Sequence, residues 1–162
     1  MKSVHIIHFS PGGTTKKTVQ TIAGAMDKVT IIDHDMLRPE NRSKDLHFTS
    51  DDLVIIGTMT MSRLFGPMKE IFDHLHGDNT PVVPVVMYGN GYYGKGLVEM
   101  QKHLKKRGFQ LVAAGAFIGQ HSHEPRIATG RPDAKDKPFR PSLAKTFIPR
   151  CISIKTPVFT TS

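Results

Sequence analysis

Apolar residues recur along this chain in two alternating rhythms. Short, densely apolar runs at 3–9, 29–33, 53–57, 82–88 and 110–118 predict β-strands. Between them the apolar positions fall at helical spacing: Val19, Ile22, Ala23 and Met26 within 14–26, Met68, Ile71, Phe72 and Leu75 within 67–76, and Leu97, Met100 and Leu104 within 95–107. The middle runs, Leu53-Val-Ile-Ile-Gly57 and Val82-Val-Pro-Val-Val-Met-Tyr88, show no polar alternation, which predicts strands covered on both faces. Such strands joined by one-faced helices predict right-handed crossovers and an α/β, doubly wound parallel sheet with helices on both faces. Residues 34–50 are too polar and broken to predict a helix. His5 and His8 fall on opposite faces of the first strand and read as packing residues.

The first strand leads into Ser10-Pro-Gly-Gly-Thr-Thr15 and then directly into a helix. The first turn of a helix has backbone N–H groups without intrahelical acceptors and carries the positive end of the helix dipole, so it suits a phosphate. Ser10, Thr14 and Thr15 add hydroxyl donors, and Gly12 and Gly13 let the backbone curl around an anion. No lysine follows in Gly-x-x-x-x-Gly-Lys-Ser/Thr spacing, which argues against a nucleoside triphosphate loop.

In a doubly wound sheet, ligands bind at the carboxyl ends of the strands. Three further loops leave that edge: 58–66 (Thr-Met-Thr-Met-Ser-Arg-Leu-Phe-Gly), 89–94 (Gly-Asn-Gly-Tyr-Tyr-Gly) and 119–123. Met59, Met61 and Phe65 offer polarizable surface on one side, and Tyr88, Tyr92 and Tyr93 on the other, suited to a flat aromatic ligand. Gly89-x-Gly91-x-x-Gly94 matches a dinucleotide fingerprint, but the following strand ends in Gly119-Gln120 with no ribose-binding acid. His121-Ser-His123 has metal-ligand character without enough companions, so no metal site is expected and the histidines read as solvated or ligand-adjacent.

Composition bounds the rest. A chain of 162 residues, 38% hydrophobic, supports one core: a ligand-binding domain over 1–137, followed by a Pro-rich basic segment over 138–162. Pro138, Pro141 and Pro149 leave room there only for a short helix near 142–148 and a tail. The lone Cys151 excludes an intrachain disulfide framework and cannot by itself hold an iron–sulfur cluster. No run is long enough to span a membrane, and a cytoplasmic location is the expectation. The net charge is +8, and from His121 onward eight Lys/Arg stand against three acids. Without interleaved aromatics or a reader motif this basicity argues against nucleic acid and for an acidic protein partner or a solvated face.

The turn at 10–15, Asp52-Leu-Val-Ile-Ile-Gly-Thr58, Pro67-Met-Lys-Glu70, Asn79-Thr-Pro-Val-Val-Pro-Val-Val86, Tyr88-Gly-Asn90, Arg107-Gly-Phe109, Ala113-Ala-Gly-Ala-Phe-Ile-Gly119, His121-Ser122 and Gly130-Arg-Pro-Asp133 together resemble flavodoxin domains, especially those fused to ferredoxin-type modules in anaerobic bacteria. The resemblance covers about residues 3–136. It implies a five-stranded flavodoxin-like sheet in the order 2-1-3-4-5 and non-covalently bound FMN. The phosphate would sit on Ser10, Gly12, Gly13, Thr14 and Thr15. The isoalloxazine would lie between Thr58, Met59, Thr60, Met61 and Ser62 on one side and Tyr88, Gly89, Asn90, Gly91, Tyr92 and Tyr93 on the other. Relatives commonly carry Pro-Val-Tyr-Ser-Gly-Arg after the third strand; here Met59-Thr-Met-Ser-Arg63 is one residue shorter and puts Met61 in place of the stacking tyrosine. With Cys151 the only cysteine, no ferredoxin half is expected within these 162 residues, and typical flavodoxins are acidic.

These readings combine into an expected FMN-binding electron-transfer protein, a carrier rather than a self-contained oxidoreductase. Its partner would be a redox protein, ferredoxin-like by resemblance or acidic by charge. Two alternatives remain: an NAD(P)H-dependent flavin or quinone reductase on the same fold, and a flavin-free binding module.

Overall fold

The computed structural model describes residues 2–121, 124 and 126–134. The Pro-rich segment expected over 138–162, with its short helix, lies outside them. So do residues 135–137 of the expected domain and the Ser122-His123 part of the histidine motif.

Five parallel strand positions form the main sheet. Their strands are β1 (Ser3–Phe9), β2 (Thr30–Asp35), β4 (Asp52–Met59), β6 (Thr80–Tyr88) and, in the fifth position, two pieces, β7 (Phe109–Leu111) and β8 (Gly115–Ile118). The order is β2-β1-β4-β6, with both β7 and β8 paired to β6, so the expected 2-1-3-4-5 arrangement is present. A short β3 (Leu46–Phe48) pairs with β5 (Leu75–Gly77) in a separate two-stranded ladder.

The predicted single strand over 110–118 is broken, and Pro84 explains the break. Even-numbered positions of β6 face the fifth strand: Val82 O accepts the Val112 N–H and Tyr88 O accepts the Gly119 N–H. Pro84 has no N–H to offer on that side. The ladder stops at Val82↔Leu111 and resumes at Val85↔Gly115, with one more residue on the outer strand than on β6 between the two pairs.

The apolar periodicity explains how the layers pack. Val19 and Ile22 of α1 (Thr14–Ala23) bury against Val4, Ile6, Leu53, Ile55, Val83 and Val85 on one sheet face. Met68, Ile71 and Phe72 of α3 (Met68–Asp73), with Met100 and Leu104 of α4 (Gly96–Lys106), cover Ile7, Val54, Ile56, Val82 and Val86 on the other. Each fully buried large side chain contributes roughly 1.5–3 kcal/mol. Helix α1 ends at Ala23, short of the predicted 26: the Gly24 N–H closes the last helical bond on Gln20 O, and the Ala25 N–H then tightens onto Ile22 O; Met26 stays buried from the following turn. Leu75, predicted as helical, instead pairs with Leu46 and remains in the same core. The polar stretch after β2 contains only the four-residue α2 (Pro39–Arg42).

The edge strand β2 exposes Ile31 and Ile32 and is tied down by polar contacts. Buried His8 donates from Nε2 to Asp33 Oδ1 at 2.8 Å, and His5 Nδ1 lies 3.0 Å from His34 Nε2. Both histidines of β1 are thus packing residues, and His8 also joins β1 to β2. No helix among the described residues is long and apolar enough to cross a membrane.

Candidate functional site

Parallel strands and short connections bring four loops to the carboxyl edge of the sheet. The first begins where β1 ends. Ser10 O accepts the Gly13 N–H at 3.1 Å, Ser10 Oγ accepts the Lys16 N–H at 3.1 Å, and Gly13 O accepts the Lys17 N–H at 3.1 Å. Gly13 adopts the left-handed region at φ 75°, which an L side chain resists, and this bend aims the first turn of α1 back over the strand ends. The N–H groups of Gly12, Thr14 and Thr15 have no protein acceptor among the described residues, and neither Thr14 nor Thr15 spends its hydroxyl on one. Three amides and two hydroxyls therefore converge with no internal use. Nearby, Lys16 Nζ lies 3.6 Å from Asp35 Oδ2. Burial would raise the Asp35 carboxyl, but the Leu37 N–H, His8 and Lys16 outweigh it and hold it below the ordinary carboxylate value.

The second and third loops follow β4 and β6 and lock together. The Thr60 N–H donates to Met87 O at 2.9 Å, and its hydroxyl lies within reach of both Arg63 O (3.1 Å) and Tyr93 O (3.2 Å). The Lys95 N–H donates to Ser62 O at 2.7 Å. Gly94, at φ 59°, passes so close to Ser62 that a Cβ would fall 2.0 Å from Ser62 O. The glycine spacing that matched a dinucleotide fingerprint thus serves loop-to-loop contact at Gly94, and at Gly89 it makes room for the His121 ring. The fourth loop is pinned by the Gly119 N–H on Tyr88 O and the Gln120 N–H on Arg131 O, while Gln120 Oε1 accepts the Gly130 N–H. Nδ1 of His121 accepts the Glu124 N–H at 3.1 Å.

These loops enclose an open cleft of about 540 Å³, measured out to its mouth. Of the residues singled out from sequence, Ser10, Gly12, Thr14, Thr15, Met59, Thr60, Met61, Tyr88 and Gly89 line it. Gly13 shapes the turn without facing the cleft. Thr58 is fully buried, on the same sheet face as Phe9 and Val86, its hydroxyl donates to Met59 O, and it is not among the lining residues. Ser62, Asn90, Gly91, Tyr92 and Tyr93 lie outside the lining; the Tyr92 ring is 69% exposed and sits 6.0 Å, centroid to centroid, from that of Tyr93. Phe65 stacks on Phe9 instead, at 6.5 Å.

Pro11 and Met87 were not singled out from sequence, and Gly119, Gln120 and His121 were placed only as part of a loop at the ligand edge, yet all five line the cleft. The loop carrying the last three was placed at this edge from the strand pattern. Met87 had no distinguishing signal, because it reads as one more apolar residue of β6. The cleft lining thus combines two chemistries: free amides and hydroxyls at 10–15, and thioether and aromatic side chains from Met59, Met61, Met87 and Tyr88. Among the described residues no group of three or more His, Cys, Asp or Glu is placed to hold a metal ion.

This architecture is the flavodoxin-like fold, and solved structures similar to the chain are flavodoxins and flavoproteins. Oxidised flavodoxin 2 from Bacillus cereus is 17% identical with a TM-score of 0.64, over 91% of this chain and 99% of the other. A Streptococcus pneumoniae TIGR4 flavodoxin is 11% identical with a TM-score of 0.64, over 91% and 98%. A flavoprotein from Lactobacillus acidophilus in complex with FMN is 12% identical with a TM-score of 0.51, over 72% and 93%. No sequence-family model matches the chain, and no curated protein matches it in sequence.

Proposed function

We propose that the chain binds FMN in this cleft and serves as an electron-transfer protein. The observation that carries the reading is that one cleft is lined both by an amide-and-hydroxyl turn having no internal acceptors and by the thioether and aromatic side chains of Met59, Met61 and Tyr88. The Gly12, Thr14 and Thr15 N–H groups, with the Ser10, Thr14 and Thr15 hydroxyls, would hold the phosphate through charge-assisted hydrogen bonds. Met59, Met61 and Tyr88 would contact the ring, with Met61 replacing an aromatic face by a flexible thioether. A bound flavin supplies the redox chemistry, while the protein positions it, limits its contact with water and sets its potential. The similar Lactobacillus acidophilus flavoprotein, determined in complex with FMN, supports the ligand class. The net charge of +8 suits an acidic redox partner.

The test is a titration of the apo-protein with FMN, followed by quenching of flavin fluorescence. One-to-one binding is expected. Thr15→Ala removes one charge-assisted hydrogen bond, about 1.5–3 kcal/mol, and weakens FMN binding by roughly 10- to 150-fold. A wild-type protein that leaves flavin fluorescence unchanged refutes the reading. Unchanged FMN affinity in Thr15→Ala removes the turn from it.

A further inference from the structure

The loop that carries Met61 into the cleft is tied to helix α4 through a side chain that does not line the cleft. Glu99 lies in the first turn of α4, whose Met100 and Leu104 are buried in the core. Its Oε2 accepts the Leu64 N–H at 2.9 Å and its Oε1 accepts Arg63 Nε at 2.9 Å. One carboxylate therefore takes two donors from the 60–64 loop and references that loop to a regular helix. The junction needs such a restraint. Ser62 is held at φ 67°, a left-handed conformation that persists in an L residue only where the surroundings enforce it. The contacts between Ser62 and the 94–95 backbone also require the two loops to stay in register. Met61, adjacent to that strained position, is 52% exposed and lines the cleft, so core packing does not fix it. The Leu64 N–H, followed by Arg63, holds the Glu99 carboxyl below its ordinary value and keeps it ionised at neutral pH.

We propose that Glu99 is a positioning residue for the ring end of the cleft: it holds the loop bearing Met61 at the spacing from the 89–94 loop that a planar ligand requires. This rests on the flavin-binding reading above. All of its side-chain hydrogen bonds among the described residues go to the 60–64 loop and none to the Ser10–Thr15 turn. Its influence is therefore on the ring and not on the phosphate. Glutamine at this position keeps one acceptor oxygen but turns an N–H₂ toward the second donor, so one of the two bonds is lost.

The experiment compares FMN and riboflavin titrations of the apo forms of wild type, Glu99→Gln, Arg63→Gln and Thr15→Ala. Glu99→Gln is expected to weaken both flavins by the same factor, about tenfold, the scale of one charge-assisted hydrogen bond. Arg63→Gln keeps the Leu64 bond and weakens both by roughly threefold. Thr15→Ala weakens FMN alone. The midpoint potential of bound flavin shifts in Glu99→Gln, because the ring's surroundings change, and stays at the wild-type value if the residue only supports folding. Wild-type affinities for both flavins in Glu99→Gln, a loss confined to FMN, or an unshifted potential each overturn the proposal while leaving flavin binding in place. If Glu99→Gln does not fold, unchanged riboflavin affinity in Arg63→Gln overturns it. Wild-type protein that binds neither flavin overturns both readings.

Discussion

Gly57, near the carboxyl end of β4, lies directly beneath the start of α1, which makes Gly57→Ala a direct test of how the fold supports the cradle. A methyl there would lie 2.6 Å from Val19 Cγ1 and 2.8 Å from Thr15 Cγ2. Carbon atoms settle about 3.5–4.0 Å apart, so the amino-terminal half of α1 must retreat by about 1 Å. Overpacking of this kind costs about 1–3 kcal/mol. For a domain of this size, that corresponds to a melting temperature lower by about 2–12 °C. The retreat also carries Thr15 and the free amides away from the strand ends, so FMN binding weakens by about tenfold and riboflavin binding by less. Thermal melts of the apo-protein and parallel flavin titrations measure both effects. Ile71→Val, on the opposite sheet face, is the control: it costs about 0.5–1.5 kcal/mol and leaves flavin affinity unchanged. A Gly57→Ala protein that melts with wild type refutes the packing argument. One that melts lower yet binds FMN normally separates the cradle from the seat of α1.

Two further outcomes follow from the core and the edge strand. Burial lowers the pKa values of His5 and His34, against the opposing pull of Asp52 on His5 and of Asp33 on His34. The unfolded chain therefore takes up protons as pH falls below 6.5 while the folded chain resists, and stability declines from 6.5 downward. His34→Gln should flatten that decline; equal urea midpoints for wild type at about pH 7.5 and about pH 5.5 would contradict the assignment. Phe72, fully buried and stacked on His103 at 5.1 Å, should cost about 3–5 kcal/mol when replaced by alanine. A shifted denaturation midpoint at constant slope checks this, and a loss below about 1 kcal/mol would mean the site collapses around the cavity.

The sequence by itself determined the elements and their layering, because periodicity is local. Leu53 to Ile56 and Val82 to Met87 could be read as doubly covered strands, and Val19, Ile71 and Met100 as inward positions, without knowing what they touch. The strand–turn–helix at 3–15 was legible for the same reason: hydroxyls and glycines between a strand and a helix define an anion-ready turn within one short segment. The rest depended on partners far away in the chain. Pro84 sat unremarked inside the apolar run 82–88, and only the sheet shows its missing N–H facing the fifth strand and dividing it. Thr58 and the tyrosines at 92 and 93 matched the ligand loops in sequence, but the sheet buried the first and the packing of the 89–94 loop against Ser62 turned the others outward. Met87 carried no local sign of its place in the cleft lining, and Glu99 none of its bonds to the 60–64 loop. Periodicity tells each residue which way to face, whereas the residue it meets there is set by strand order and by hydrogen bonds spanning tens of positions, such as Leu64 to Glu99, and these exist only once the sheet has formed.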